Sequence, residues 1–512
     1  MRRERVDAVV VGAGLGGLSA AAHLARTGLR VAVLEHHSVP GGYAHEFHRR
    51  GYRFEVALHA LDGAGPGGWI RPLLENLGVV DRIDLQRLDP FYVVRFPDHE
   101  VTAHANPDAY RADLVEAFPE SADAIDDFFA AVRRVSHDTG RYAADRARGE
   151  RGDASETMKR YPDMVAAMTS TWADFVGRYV RDHRLAAVLS TLWGYFGLPP
   201  SRLCAGALAL AIDSYHRGGA WYPHGGSQAI SRALAAVVEE NGGSVHYRQT
   251  VNHIEVRDGS AVAVGTERGL RVEADLVISN ASPDVTCGWV EGADLPPAYT
   301  ERFAADVPAL SNLVVYLGVG KDLATKGWDH HEYFHNVGYD LEADYRAVVT
   351  GNFSRAGLVL SNYTAVDPGC APSGCSVLTL MTLAPWNFAD TWGTGGDVDG
   401  YRRRPRYRRL KLEAADRLLD RAERLIPGLR QSIQVMEVGT PLTNWRYSRN
   451  PGGSIYGREQ TPHNMFFGRH SPKTPIPNLL FTGAWIAGGG MSTAMASGRT
   501  TASIAAKYLA SG

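Results

Sequence analysis

The chain reads as an α/β protein, and three stretches predict it. An apolar run, Ala8 to Val11, enters a glycine turn and then an Ala-rich helix, and a second short apolar run follows Gly28. Far down the chain ADLVISN, from Ala274, has the continuous apolar character of a strand buried on both faces. Near the end, Asn478 to Thr482, the glycines 488 to 490 and a helix starting near Met491 repeat the strand, turn and helix order.

The first stretch is the most specific. Gly12, Gly14 and Gly17 form G-x-G-x-x-G between the Ala8–Val11 strand and a helix over 15–26. In such a turn the first glycine permits the bend, the second lets backbone approach a pyrophosphate, and the third allows close helix–strand packing. The strand over 30–34 ends on Glu35, where an acid binds a ribose hydroxyl. Together these predict a bound dinucleotide, with the pyrophosphate at the helix N-terminus. A second glycine pair, Gly41-Gly42, follows at once, and it suits a cofactor that extends past its pyrophosphate, as FAD does and NAD does not.

Composition narrows the class. The chain has 512 residues, 45% hydrophobic and 21% charged, with a formal net charge of −2, so no global charge favours nucleic acid. Cys204, Cys287, Cys370 and Cys375 form neither a disulfide ladder nor a paired metal motif, and no metal is expected. Only MRRERV precedes Asp7, too short for a signal peptide, and the uncharged stretches 185–201, 368–389 and 474–498 are broken by Pro and Gly. A cytoplasmic protein without a membrane span is expected, peripheral membrane contact remaining open.

Beyond Glu35 the elements follow in order. A helical segment lies over 70–78 and a strand pair over 91–101. Two amphipathic helices part at Pro119 between Tyr110 and Val135. The charged segment 138–163 reads as a mobile connection or a solvated helix. Trp172, Phe175, Val176 and Tyr179 share one helical face, and the apolar segments 185–196 and 204–212 are read as core, with a greasy substrate wall as the alternative. YPHGGS, from Tyr222, leads to a helix over 228–241. Short strands follow over 244–249, 251–257, 261–266 and 270–273, and the 274–280 strand closes that set. Strands 313–319, 358–362 and 376–384 and a helix over 410–425 make up a second insertion. Before that helix six arginines, at 402, 403, 404, 406, 408 and 409, mark a solvated face or a docking patch for anionic lipid or an acidic carrier.

These motifs together resemble the flavin-dependent phytoene desaturase, carotenoid isomerase and retinol saturase family. The resemblance rests on Gly12, Gly14, Gly17, Glu35, Gly41 and Gly42, on PHGGSQAISRAL from Pro223 and on ADLVISNASPDV from Ala274. It also rests on DPGCAP from Asp367, TPLTNWRYSRNPGGSIYG from Thr440 and the glycine-rich C-terminal segment. GGYAHEFHRRGYRFEVALH is most like the retinol saturase side, with His45 and His59 at its two histidine positions. Glu55, Ala57 and Ala484 depart from the pattern, where relatives carry Asp, Gly and an acidic or amide residue.

The resemblance implies a Rossmann-type FAD-binding domain in three segments, 1–90, 215–290 and 435–512, with a mixed α+β substrate domain from 91–214 and 291–434. FAD would lie extended, its adenosine half near Glu35 and Val251 and its isoalloxazine near Gly42, Trp485 and Gly489. Gly483, Gly490 and Met491 complete the expected cofactor set, and Trp445 is a further candidate wall. The expected function is an oxidoreductase acting on carbon–carbon double bonds of an apolar or polyene substrate, by desaturation or saturation. A polyene cis-trans isomerase, a flavin amine oxidase and a non-catalytic flavoprotein docking module are the alternatives. Since the flavin carries the hard chemistry, the protein needs only to position the bond and handle a proton. His59, Tyr43, His224 and Tyr456 stand near the flavin-side turns as proton handlers. Gly318-Val319-Gly320 lacks the third glycine of a second dinucleotide site, so a diffusible redox partner is expected.

Overall fold

The computed structural model describes residues 2–150 and 152–510. Residues 1, 511 and 512 of the expected cofactor segments, and 151 within the charged segment, lie outside the described residues. Two sheets organise the chain. In the first, strands run in the order Ser244–His246, Val31–Leu34, Arg2–Val11, Leu270–Ser279, Ser260–Thr266, Val251–Arg257 and Val290–Glu291, and Leu479–Phe481 also pairs with Leu270–Ser279. Every pairing among the first four of these strands, and that of Leu479–Phe481, is parallel. Parallel strands are covered on both faces, which explains the unbroken burial of Val31–Leu34 and of the last residues of Arg2–Val11 and Leu270–Ser279.

The 270–273 and 274–280 runs are one strand, Leu270–Ser279. Its first half pairs antiparallel with Ser260–Thr266 and its second half parallel with Leu479–Phe481. One strand thus serves both the meander and the parallel core, and the alternating burial of Leu270 to Asp275 gives way to continuous burial from Leu276.

The second sheet runs Ile433–Gly439, Ser311–Val319, Ser376–Ala384, Leu358–Asn362, Glu332–His335, Tyr92–Arg95 and Glu100–Ala103. Ser311–Val319 and Ser376–Ala384 are buried throughout. The helix Pro405–Leu425 contributes Ala414, Ala415, Leu418, Leu419 and Ala422 to the core cluster on one face of this sheet. Ile433–Gly439 crosses the expected limit at 434/435 and belongs wholly to the second sheet.

Two expectations change here. The charged segment 138–163 is neither a mobile connection nor wholly solvated. Most of its first part continues the helix Ala122–Ala147, and Asp138 and Asp145 are buried, Asp138 accepting from the Asp163 backbone N–H at 3.0 Å and Asp145 joined to Arg160 at 2.6 Å. The arginine run is mostly helical, since Arg402 and Arg403 lie on the 3-10 turn Tyr401–Arg403 and Arg406, Arg408 and Arg409 on Pro405–Leu425. Arg404 pairs with Asp397, and Arg409 with Glu413 at 3.6 Å. No helix among the described residues is long and apolar enough to cross a membrane.

The helix Leu15–Ala25 is buried almost along its length and packs on Met491–Leu509 and Ser227–Glu240. That burial needs Gly17, because a Cβ there would overlap the Gly12 carbonyl oxygen. Gly17→Ala is expected to lower stability by about 1–3 kcal/mol, the usual cost of overpacking. Thermal unfolding together with the flavin-to-protein ratio of purified protein checks this, both falling in the variant.

Candidate active site

A large cavity of about 890 Å³ runs from the glycine motif to Ser136, Thr139, Gly140 and Ala143 of the helix Ala122–Ala147, at the large end of the usual range for ligand sites. At its nucleotide end Gly12, Gly14 and Gly16 face the Asn280 side chain. A Cβ on Gly14 would stand 2.7 Å from Asn280 Nδ2, and one on Gly16 2.7 Å from the Gly483 Cα. Gly41 bridges Gly14 and donates its N–H to the Ala13 carbonyl at 2.7 Å, so the two glycine turns form one cradle. His45 holds the far side of that turn. Its Nδ1–H donates to the Gly42 carbonyl at 2.6 Å, and burial, with His37 beside it, pulls its pKa down to about 4, so the ring is neutral.

Glu35 is buried, and its oxygens accept from the Ala13 and His37 backbone N–H groups, each at 2.6 Å. Burial raises its pKa, and the two backbone donors oppose that shift. Glu35 and Val251 both line this end of the cavity, where the sequence places an adenosine ribose. The glycine cradle, the acid at its end and the length of the cavity fit FAD.

Toward the C-terminal turn Trp485, Gly489, Gly490 and Met491 line the wall. A Cβ on Gly489 would stand 2.8 Å from Tyr456 Cβ, so glycine there keeps the turn against that ring. Gly17 and Gly483 support the cradle from behind without lining it, and Trp445 is also off the cavity wall, its ring stacked under Arg449.

Of the four candidate proton handlers, His59, Tyr43 and Tyr456 line the cavity and His224 does not. His224 lies beside Asp84 and Asp367 at 3.7 and 3.9 Å, on the outer side of the turn before Ser227–Glu240. The Tyr43 hydroxyl donates to the Ser454 carbonyl at 2.9 Å, and burial pushes its pKa up to about 12. Tyr456 donates to the Gly194 carbonyl at 3.1 Å, with its pKa also raised by burial. Both phenols are therefore committed to backbone carbonyls.

His59 is different, and the reason is its loop. Glu55 accepts from the backbone N–H groups of Val56, Ala57 and Leu58 at 3.0, 3.2 and 3.1 Å, and from Ser227 N–H and Oγ, each at 2.7 Å. The carbonyls of Val56 and Leu58 receive the hydroxyls of Tyr316 and Tyr363, and that of His59 receives His331 Nε2 at 2.7 Å. With its amides and carbonyls engaged, the loop holds the imidazole in one place. Nδ1 of His59 lies 3.0 Å from Glu332 Oε1 and 3.1 Å from Ser361 Oγ, two residues directly opposite each other across adjacent strands. Nε2 has no partner among the described residues. Tyr195 also donates to Glu332 Oε1 at 3.0 Å and lines the cavity beside His59. Burial disfavours a charged imidazole, but Glu332 outweighs it and the His59 pKa stands above the ordinary histidine value.

This arrangement can bind a dinucleotide, extend an apolar pocket beyond it and present a protonatable imidazole to whatever fills the pocket. A flavin family model, described as flavin containing amine oxidoreductase, matches residues 15–387 and 406–505. The chain belongs to this family. It is an FAD-dependent enzyme. Among curated relatives, all-trans-retinol 13,14-reductase from Danio rerio is 26% identical, covering 94% of this chain and 82% of the relative. Prolycopene isomerase from Daucus carota is also 26% identical, covering 94% and 77%. Among solved structures, an oxidoreductase from Methanosarcina mazei aligns with a TM-score of 0.64 at 19% identity, covering 96% of this chain and 99% of that one. Putrescine oxidase with putrescine bound aligns at 0.63 and 16%, covering 99% and 100%. These structures share the fold.

Sequence reasoning missed Asn280, Glu332, Tyr195 and Arg469. Asn280 closes a strand already read as part of the cofactor unit, so its place after ADLVIS was a usable signal. Glu332 carried none, since it sits in an ordinary strand pattern and meets His59 only through the second sheet.

Glu332→Gln is expected to drop the His59 pKa below its ordinary value, because burial then acts without the opposing charge. A folded-state pKa raised by a partner adds stability below the unfolded value of about 6.5 and loses it as pH rises through the folded value. The wild type should therefore lose stability from about pH 6.5 upward relative to Glu332→Gln. Histidine NMR titration and denaturant unfolding across that range check both statements.

Proposed function

We propose that the enzyme adds hydrogen to, or removes it from, a carbon–carbon bond of a long apolar polyene. The observation that carries this reading is His59, fixed by Glu332 and Ser361 in the wall of the same cavity that holds the glycine cradle. Bound FAD supplies hydride transfer to or from carbon. The residues supply the rest. Phe196, Leu210, Ala211, Tyr215 and Ile455 give the cavity an apolar wall along which a hydrocarbon chain is aligned and water excluded. His59 Nε2 gives or takes the proton at the carbon next to the hydride carbon, and Glu332 stabilises the charged ring when the proton is held.

The names of the relatives support a polyene, since one acts on all-trans-retinol and another on prolycopene. Their equal identity to this chain keeps cis-trans isomerisation as the second reading. Amine oxidation is disfavoured by charge. The side-chain charge left without a counter-ion beside the C-terminal glycine turn belongs to an arginine, which repels an ammonium substrate.

We also propose that the 1–90, 215–290 and 435–512 segments form the cofactor body and that 91–214 and 291–434 supply the substrate wall, with Ile433–Gly439 reassigned to the latter. Arg402, Arg403 and Arg406 make no ion pair among the described residues, and Trp69, 44% exposed, lines the cavity at an opening. Both support delivery of substrate from an anionic lipid surface or an acidic carrier.

Anaerobic incubation of the holoenzyme with retinol or an acyclic carotene, followed by mass spectrometry, tests the reaction. A change of two hydrogens is expected, while unchanged mass with new double-bond geometry transfers the assignment to isomerisation. His59→Gln is expected to lower kcat by about 10²–10⁴-fold, the usual contribution of a positioned acid–base group, with flavin content unchanged.

A further inference from the structure

Arginines 458 and 469 lie in the same connection before the last strand, and the protein treats them differently. Arg458 is buried and engaged at both terminal nitrogens, though its Nε has no partner among the described residues. Its Nη1 meets Asp306 at 3.1 Å, and its Nη2 donates to the carbonyls of Asn464 and Gly468 at 2.9 and 2.6 Å. Arg469 lines the cavity, and the sole hydrogen bond of its guanidinium among the described residues goes to the sulfur of Met465. A thioether is a weak acceptor and carries no charge. The Arg469 guanidinium thus meets no carboxylate and no carbonyl among the described residues, and burial, with Arg458 nearby, pulls its pKa down to about 9, which still leaves it charged at neutral pH.

A second polar group converges on the same place. Gln460 lines the cavity, and its side-chain amide makes no hydrogen bond among the described residues. A Cβ placed on Gly488 would stand 3.0 Å from Gln460 Oε1 and would also touch Arg469 Nη2, so both side chains meet beside the C-terminal glycine turn. Around them the wall is apolar, with Phe196, Ala207, Leu210 and Met465. An unpaired guanidinium in such surroundings is costly unless a ligand completes it. Its planar fork of donors matches a carboxylate.

We propose that Arg469, with Gln460, binds the carboxylate of the substrate, which makes the substrate an apolar-chain carboxylic acid rather than a neutral hydrocarbon or alcohol. The proposal rests on the polyene reading above and narrows it. The position of Arg469 beside Gly488 sets the anionic group inside the cavity and not at its rim, so the chain enters head first. It also gives Arg469 the role of fixing which bond along the chain lies over the reacting centre.

The test is equilibrium binding to oxidised holoenzyme, read from the flavin absorbance change, with retinoate, retinol and a saturated fatty carboxylate of similar length. Retinoate is expected to bind about 10- to 100-fold more tightly than retinol, the range of one charge-assisted hydrogen-bond set. Arg469→Gln should erase that preference, while Arg469→Lys should keep part of it. Equal binding of retinoate and retinol by the wild type overturns the carboxylate proposal and leaves the polyene reading intact. Tight binding of both carboxylates, the saturated one included, supports the carboxylate site and counts against the polyene. If no ligand of the three binds, both fall. If Arg469→Gln shifts the flavin reduction potential while the retinoate preference persists, Arg469 serves the cofactor and the proposal is overturned.

Discussion

Everything in this molecule depends on one stretch of parallel pairing. Val277, Ile278 and Ser279 pair on one side with Val9, Val10 and Val11 and on the other with Leu479, Leu480 and Phe481. The three strands come from the start, middle and end of the chain, and parallel strands cannot be joined by a short hairpin, so long insertions between them are a geometric requirement. The same register brings the three strand ends together. Immediately beyond them lie the Gly12 turn, Asn280 and Gly483, and the contacts among these residues form the cofactor cradle. Ligand binding beyond the carboxyl ends of parallel strands follows from that convergence.

The insertions return the favour by building the chemistry. The second sheet presents Glu332 and Ser361 opposite each other on neighbouring strands, and both reach Nδ1 of a histidine that belongs to the first segment. Sheet register therefore sets the imidazole's orientation, and Glu55 sets the position of its backbone. Glu55 is buried at the start of that loop. It satisfies three successive amides and the start of the helix Ser227–Glu240 at once. Ala57 lies in the same loop, donating its N–H to Glu55 at 3.2 Å.

What was legible in the sequence was what is local. Gly12, Gly14, Gly17, Gly41 and Gly42 announce their turns because backbone conformation and close approach are properties of a few consecutive residues, and FAD followed from their spacing. The strands of the first sheet were legible for a similar reason, since burial on both faces leaves continuous apolar runs. The 270–273 and 274–280 runs were split in the reading because alternation changes to continuity within one strand, which happens where an antiparallel neighbour gives way to parallel ones. His224 was misplaced by proximity in sequence to PHGGS. The turn does approach the cofactor unit, but its histidine points to Asp84 and Asp367 on the other side. The charged segment 138–163 reads as a mobile connection or a solvated helix because charge in sequence does not show which carboxylates are buried. Asp138 accepts from the Asp163 and Met164 amides and lies 3.8 Å from Arg141, and the partners of Asp145 include Arg148, Arg160 and Tyr161.

The groups least visible in the sequence are those with most influence on the chemistry, and there is a physical reason for this. An apolar cavity that must accept a greasy chain can tolerate few polar atoms, because each one left unpaired opposes filling the site. Those that remain are held by residues distant in the chain, as His59 is by Glu332 and Ser361, or are left for the ligand to satisfy, as Arg469 is. On the reading proposed above, the first kind serves proton chemistry and the second recognition. The connection that carries Arg469 is itself tied to the cofactor sheet, since Phe481 N–H donates to the Pro472 carbonyl at 2.7 Å, so the position of that charge is linked to the strand that ends at the cradle.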